Sequence, residues 1–448
     1  MANASPHTQG PVDVGELIDD SRWGPYQKYL VGLTALAIIF DGIDNQLLGV
    51  AIPTIMAEWS APRAAFAPVV ALGYFGMMIG GAAAGLAGDR FGRRTALMVT
   101  IAIFGAMTLA AAYVNDTTSL GWVRFLAGIG LGGAVPNAAT LAAEYVPKHR
   151  RPLAVTVTIV CMPLGATIAG ILGANLLSSM GWRTLFIVGG AVPLVAAALL
   201  ARALPESPRY LTRHRERWPE LVHLLRRMGH AVPAGAAFTD SAERATQRAP
   251  LTVLFQPEFR GDTLALWGSF FSCLLAVYLG FSWLPSLLSG AGFGPGVAST
   301  GITAFNLGGV VGAVAGGMAI SVYGSRVAML TMAAGAVAGA IGLSLIPINA
   351  STSILLIMIV LTWTGGLINA VQTTMFALAA NVYPSQIRAT GVGTAVSVGR
   401  LGAILSGYAG AWALEYRGSL SYFGLMAAAM AVCFLALAAV RHHVPARH

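Results

Sequence analysis

The run YLVGLTALAIIFDGIDNQLLGVAIPTIMA, from Tyr29 to Ala57, decides how this chain is read. About 20 consecutive apolar residues suffice to cross a bilayer, and this run exceeds that length while holding two carboxylates, Asp41 and Asp44, near its middle. An ionisable group at the bilayer centre costs about 2.5–3.5 kcal/mol on insertion scales, so it faces an interior path rather than lipid. Positions i and i+3 share one helix face, which lets both aspartates look into one cavity. Two carboxylates so close repel, which couples their protonation and favours reversible proton uptake. The competing reading is a structural ion cluster packed on a basic neighbour. Residues this rare inside a membrane are functional by default, so the stretch is read as a proton-handling site.

The rest of the composition agrees. Of 448 residues, 56% are hydrophobic and 10% charged, with a mean hydropathy of +0.70. Soluble domains carry about 25% charged residues, so this is the composition of a polytopic membrane protein. The net charge of +9 sits in a few short connections, which is the pattern of the positive-inside rule and not of a nucleic-acid groove. Cys161, Cys273 and Cys433 all fall in apolar spans and read as buried hydrophobes, with neither disulfide framework nor metal spacing. Residues 1–25 are polar, without a basic segment followed by a cleavable apolar core, so no signal peptide is expected there.

Twelve apolar spans can be drawn, near 28–57, 66–87, 95–114, 119–143, 153–177, 183–203, 262–288, 297–320, 327–347, 353–380, 390–413 and 419–440. The expected fold is an all-α membrane protein of twelve transmembrane helices in two six-helix pseudo-repeats. Its expected parts are a cytoplasmic segment 1–27, a bundle 28–203, a cytoplasmic central loop 204–261, a second bundle 262–440 and a cytoplasmic tail 441–448. The central loop is rich in arginine, including Arg209, Arg213, Arg215, Arg217, Arg226, Arg227, Arg244 and Arg248. Basic clusters at Arg90–Arg94 and Lys148–Arg151 follow even-numbered spans, as do Arg326 and Arg388, which places them on one side with the central loop. A weak repeat relates the halves: Gly92 corresponds to Gly324, and Tyr145-Val146-Pro147 to Val382-Tyr383-Pro384. Parallel halves put a substrate site between them near the midplane.

The most specific motif is Gly85-x-x-x-Asp89-Arg90-x-Gly92-Arg93-Arg94, whose glycines permit a tight turn and whose charges can pair or cap helix ends. It resembles the signature loop of the major facilitator superfamily. That resemblance implies a cytoplasmic gate of Asp89, Arg93 and Glu144 with Arg388 at the start of helix eleven. In the second copy Ser321 and Val322 replace the aspartate and arginine, so a weaker latch is expected there. Arg124-x-x-x-Gly128-x-Gly130-x-Gly132-Gly133 lacks the preceding strand of a phosphate loop; its small residues suit close helix packing, with Arg124 pointing inward or to the outer vestibule. Pro205-Glu206-Ser207-Pro208-Arg209-Tyr210-Leu211 resembles the motif that follows helix six in sugar porters.

In the second half, Tyr278, Trp363, Asn369 and Gln372 are candidates to line a path, the amides more so because amides in lipid need partners. Arg400, near the middle of span eleven, is the only cation deep in that half and wants an anion. Asp41-Gly42-Ile43-Asp44, Arg124 with its glycines and Pro136-Asn137, Glu144-Tyr145-x-Pro147, and Tyr383-Pro384 with Arg388, Gly391 and Arg400 together resemble the aromatic acid/proton symporters. The resemblance implies import of a benzoate- or hydroxybenzoate-type acid with protons through the inner membrane. It assigns Asp41 and Asp44 to proton coupling, and Arg400, Arg124, Asn369, Gln372, Tyr278 and Trp363 to substrate. No enzyme activity, metal or cofactor is expected, since the proton gradient supplies the energy. The expected partners are a small aromatic carboxylate, protons and lipid, with no nucleic acid, and the chain is expected to be a monomer. The alternatives are a sugar, polyol or other organic-anion porter of the same superfamily, or a membrane sensor of aromatic acids.

Alkaline phosphatase fused within residues 204–261 is expected to be inactive, because every basic cluster lies on the same side as that loop. An active fusion would overturn the twelve-span map.

Overall fold

The computed structural model describes residues 11–446 except 234, 241–249, 350 and 385–386, so Arg244 and Arg248 lie outside the described residues. In chain order the helices are α1 (Val14–Asp19), α2 (Pro25–Trp59), α3 (Arg63–Phe91), α4 (Arg93–Ala111), α5 (Thr117–Glu144), α6 (Arg151–Ala203), α7 (Pro208–Arg213), α8 (Trp218–Arg227), α9 (Arg260–Gly290), α10 (Pro295–Leu345), α11 (Ile354–Val382), α12 (Arg388–Arg417) and α13 (Ser419–Ala439). Among the described residues, nine helices are long and apolar enough to cross a membrane. Two of them are double crossings. The 53-residue α6 turns at Gly181 (φ 77°) and the 51-residue α10 at Gly324 (φ 77°), a backbone region open to glycine because it lacks Cβ. α12, rich in arginine and glycine, is more polar than these nine and completes the twelve crossings.

Local chemistry sets the ends. Pro25 opens α2 at the position where its missing N–H costs nothing. Asp116 caps α5 by accepting the Ser119 N–H at 2.8 Å, and that bond holds its carboxyl below the usual carboxylate range. α2 is buried on every side from Asp41 to Ile52, as is α9 from Ser272 to Leu288, so these are the central helices of their halves. Trp122, Val195, Leu199 and Leu355 are exposed on the outer, lipid-facing surface.

The glycines of α3 and α5 let two backbones touch. Gly76 and Gly80 lie against the carbonyls of Phe125 and Ile129, and Gly128 and Gly132 against those of Gly73 and Met77. Gly42 of α2 meets the backbone of Met162 and Gly165 in α6 in the same way.

The two halves meet through α3 with α12, α6 with α10, and α2 with α9. Gly407 lies against the backbone of Ala67 and Ala71, and Gly170 against Ser299 and Thr303, all on the side away from the central segment. Further along the same helices, Gly85 and Gly393 have no neighbour within 4 Å of where a side chain would begin. The halves are thus closed on one side and parted on the side of residues 204–261.

That side also carries short clamps. β1 (Val12–Asp13) pairs in parallel with β2 (Phe238–Thr239), and Arg151 pairs with Asp19. α8 buries Leu221, Leu224 and Leu225 against the bundle.

Gly132→Ala is expected to destabilise the fold by about 1–3 kcal/mol, the usual cost of overpacking, because its methyl would meet the Met77 carbonyl. Gly85→Ala, with open space around it, should leave thermal unfolding in detergent unchanged. Equal unfolding temperatures for the two variants would contradict the packing described.

Candidate functional site

Asp44 is wholly buried at the centre of the first half. Its Oδ1 accepts a hydrogen bond from Thr108 of α4, and Arg124 Nη1 lies 3.4 Å from both carboxylate oxygens. Arg124 Nη2 also donates to the Asp44 carbonyl at 3.4 Å. Arg124 is only 4% exposed, so of the two expected orientations, inward or to the outer vestibule, it takes the inward one. Its helix starts at Thr117, so seven residues at 1.5 Å each carry it about 10 Å inward. A cation at that depth must be paired, and Asp44 is within its reach.

Asp41 shares the helix face but not the partners. It is fully buried, and neither of its oxygens has a hydrogen-bond partner among the described residues. The charges acting on it are Arg400 and Asp44. One carboxylate is therefore fixed to the first bundle, and the other faces the second.

Arg400 of α12 is half-buried at the junction of the halves. Its Nη1 donates to the Tyr278 hydroxyl at 2.7 Å and lies 3.9 Å from Met77 Sδ, while the guanidinium stands 5.9 Å from the Tyr278 ring. No carboxylate lies within ion-pair distance of it among the described residues. Tyr278 meets Tyr74 edge-on at 4.4 Å, and the Tyr74 hydroxyl is 2.7 Å from Ser282 Oγ. Above this cluster, Gln46 Nε2 donates to the Phe281 carbonyl at 2.7 Å, and Asn306 Nδ2 donates to Gln46 Oε1 at 3.4 Å.

The remaining candidates divide. Gln372 is half-buried on α11. Asn369 donates to the Gly365 carbonyl at 2.9 Å and packs on Gly309. Trp363 is corrected: it is 60% exposed on the outer face of α11 and does not line a path. Its neighbours Thr364 and Gly365 take the inward positions. Sequence reasoning missed Thr108, Tyr74 and Ser282. A phenol inside an apolar span was the available signal for Tyr74; single hydroxyls in such spans carry none.

The gate residues are also placed differently from the expected shared latch. Asp89 pairs with Arg93 one turn away, Glu144 accepts from the Ser207 hydroxyl, and Arg388 Nε donates to the Tyr383 carbonyl at 3.4 Å. No direct Arg93–Glu144 ion pair forms among the described residues; Glu144 accepts instead from Ser207, in the segment after α6. In the same segment, Glu206 accepts from the Arg94 and Thr95 N–H groups at 2.8 and 3.3 Å, bolting the loop at Gly92 to the end of α6. The second half has a counterpart without those charges. Asp262 accepts the Arg441 N–H at 2.7 Å and contacts His442 Nδ1 at 2.5 Å, while the Ser325 N–H donates to the Val444 carbonyl at 2.9 Å. Among the described residues, no group of His, Cys, Asp and Glu is arranged to hold a metal.

A polytopic bundle of two six-helix halves with buried charges at their junction is a membrane transporter, and the chain belongs to the Major Facilitator Superfamily, whose family model matches residues 34–407. It is 34% identical to the gallate transporter of Pseudomonas putida, covering 96% of each chain. It is 36% identical to the 4-hydroxybenzoate transporter of Pseudomonas aeruginosa, covering 89% of each, and 32% identical to the benzoate transport protein of Acinetobacter baylyi, covering 91% of this chain and 87% of that one. Its fold is similar to that of the E. coli xylose transporter in a partially occluded inward-open conformation, with a TM-score of 0.73 at 16% identity, covering 92% of this chain and 97% of that one.

Removing one member of a buried ion pair costs about 3–5 kcal/mol, because the other charge is left uncompensated. Arg124→Leu should therefore lower the thermal unfolding temperature in detergent, and adding Asp44→Asn should recover much of the loss. Additive losses in the double variant would mean that the two side chains do not act as a pair.

Proposed function

We propose that this protein imports an aromatic carboxylate of the benzoate and hydroxybenzoate class together with protons, by alternating access of its two halves. The observation that carries this reading is Arg400. It is a cation at the junction of the halves whose hydrogen-bonding partner is a neutral phenol, with the unbonded Asp41 as the acid acting on it. An arginine in an apolar interior seeks an anion, and its planar fork matches a carboxylate with two parallel bonds. Tyr278 and Tyr74 offer an aromatic ring the edge and face contacts it prefers. The substrates named for the relatives of P. putida, P. aeruginosa and A. baylyi all join a carboxylate to an aromatic ring.

Asp41 is assigned the travelling proton. While it is charged, it competes with substrate for Arg400; once protonated, it releases Arg400 to the incoming carboxylate. Asp44, held by Arg124 and Thr108, sets the field in which Asp41 titrates. An anion entering a cell that is negative inside opposes about 2.3 kcal/mol per 100 mV. One accompanying proton removes that opposition.

The halves 28–203 and 262–440 would rock about this site, with both termini and residues 204–261 cytoplasmic and the protein a monomer in the inner membrane. The parted side then faces the cytoplasm. Asn369 and Gln372 would flank the path from α11, and Asp89, Arg93, Glu144 and Arg388 would re-pair across the halves when that side closes.

Uptake of radiolabelled 4-hydroxybenzoate should collapse with a protonophore. Asp41→Asn and Asp44→Asn should each abolish accumulation, with energy-independent exchange surviving in Asp41→Asn. Arg400→Ala should weaken binding of benzoate-type acids to purified protein by about 2–5 kcal/mol, the range for truncating one partner of a buried charge pair. Wild-type binding by Arg400→Ala would show that this arginine never meets substrate.

A further inference from the structure

Beside Arg124 lies a small cavity of about 10 Å³, lined by Asn45, Gly73, Tyr74, Met77, Arg124 and Ser282 among others. Two of the polar groups around it are unsatisfied donors: Arg124 Nε and Asn45 Nδ2 are buried with no hydrogen-bond partner among the described residues. The side chains are closely enclosed, with Asn45 5% exposed, Tyr74 7%, Arg124 4% and Ser282 3%. A cavity holds one water when it offers about 10–15 Å³ and two to four polar partners, and this one meets both conditions. The occupant must accept hydrogen bonds from the two donors. Asp44 already balances the charge of Arg124, so a neutral acceptor suits the site better than an anion.

We propose that this cavity is a single-water site that joins the Asp44–Arg124 pair to Tyr74 and Ser282, and that the Tyr74–Ser282 contact couples the proton side of the mechanism to Arg400. The water oxygen accepts from Arg124 Nε and Asn45 Nδ2. Its own protons go to Tyr74 and Ser282, whose oxygens share one hydrogen bond of 2.7 Å and keep lone pairs free. Ser282 stands one turn from Tyr278 on α9, and Tyr278 accepts from Arg400. Tyr74 belongs to the first half and Ser282 to the second, so their bond exists only while the halves are closed at this level. A link present in one state and broken in the other is what couples two sites through a conformational equilibrium. The charged and titratable groups around it are Asp41 and Asp44 of α2, Arg124 of α5, Tyr278 of α9 and Arg400 of α12, together with Tyr74 itself. The coupling role rests on the transport reading above; the water site does not.

Gly73→Ala isolates the cavity. Its methyl would stand 3.7 Å from the Arg124 carbonyl oxygen and 3.9 Å from Arg124 Cβ, ordinary contacts that leave the helices in place. A methyl is about the size of the water it would displace. In proteoliposomes with an imposed pH gradient, Gly73→Ala and Ser282→Ala, the latter removing the contact to Tyr74, should bind 4-hydroxybenzoate within about twofold of wild type while accumulating it about tenfold less, a loss in the range of coupling between sites. Their pH profiles of uptake should also shift. Wild-type accumulation and pH profile in both variants would overturn the coupling role. An experimental structure that resolves waters should show one within hydrogen-bonding distance of Arg124 Nε and Asn45 Nδ2; an empty cavity would overturn the site. If wild type itself fails to accumulate the acid, the transport reading falls, while the density still decides the water site.

Discussion

The buried pair of Asp44 and Arg124 is the interaction on which the first half depends. Taking two charges out of water costs several kcal/mol each, and their attraction offsets this only when the geometry is good and further hydrogen bonds help. Thr108 provides such a bond, so α2, α4 and α5 are tied at a single point near their middles. Any motion of the first bundle must carry these three helices together. Asp41, one turn away, has no such partner among the described residues and takes no part in this tie.

Glycine adds to that rigidity through close packing. α3 and α5 approach until carbonyls of one face the glycines of the other, and α2 meets α6 likewise at Gly42 and Gly165. Packing at that distance helps drive association in lipid, where there is no hydrophobic gain from association itself. The contacts between the halves are fewer and mixed in kind: Gly407 on α3, Gly170 on α10, and the polar set of Gln46, Asn306, Tyr74 and Ser282. Hydrogen bonds of this sort can exchange partners, whereas interlocked backbones cannot slide. The division between rigid halves and an adjustable junction follows from that difference.

The two halves solve one problem at their parted ends in different ways. In each, a glycine with positive φ turns the chain between the second and third crossings, and the segment after the sixth crossing binds that turn. In the first half the bond is a buried carboxylate, Glu206, on the open N–H groups of α4, where the helix dipole favours an anion. In the second half the chain returns at Arg441–Val444, and the turn at Gly324 is held by backbone and Ser325 instead. Where the second loop lacks the aspartate and arginine, the returning chain is held at the turn by Ser325 and backbone, and beside it by Asp262 at Arg441 and His442.

Much of this was legible in the sequence. The crossings follow from apolar length alone, since a backbone in lipid must satisfy its own hydrogen bonds within a helix. Asp41, Asp44, Arg124 and Arg400 stood out because charge is rare and expensive in such spans. What the sequence left open was pairing. Nothing in the spacing of Asp44 and Arg124, 80 residues apart, says that they meet, because that distance is set by how α2 and α5 pack. The same limit applies to Trp363, whose outward position depends on which face of α11 its neighbours cover. It applies also to Glu144, whose partner is chosen by where the chain returns after α6. The sequence by itself determined which residues had to be buried and charged; only the tertiary structure decided who faces whom, because partner choice is a property of helix packing and not of the helix.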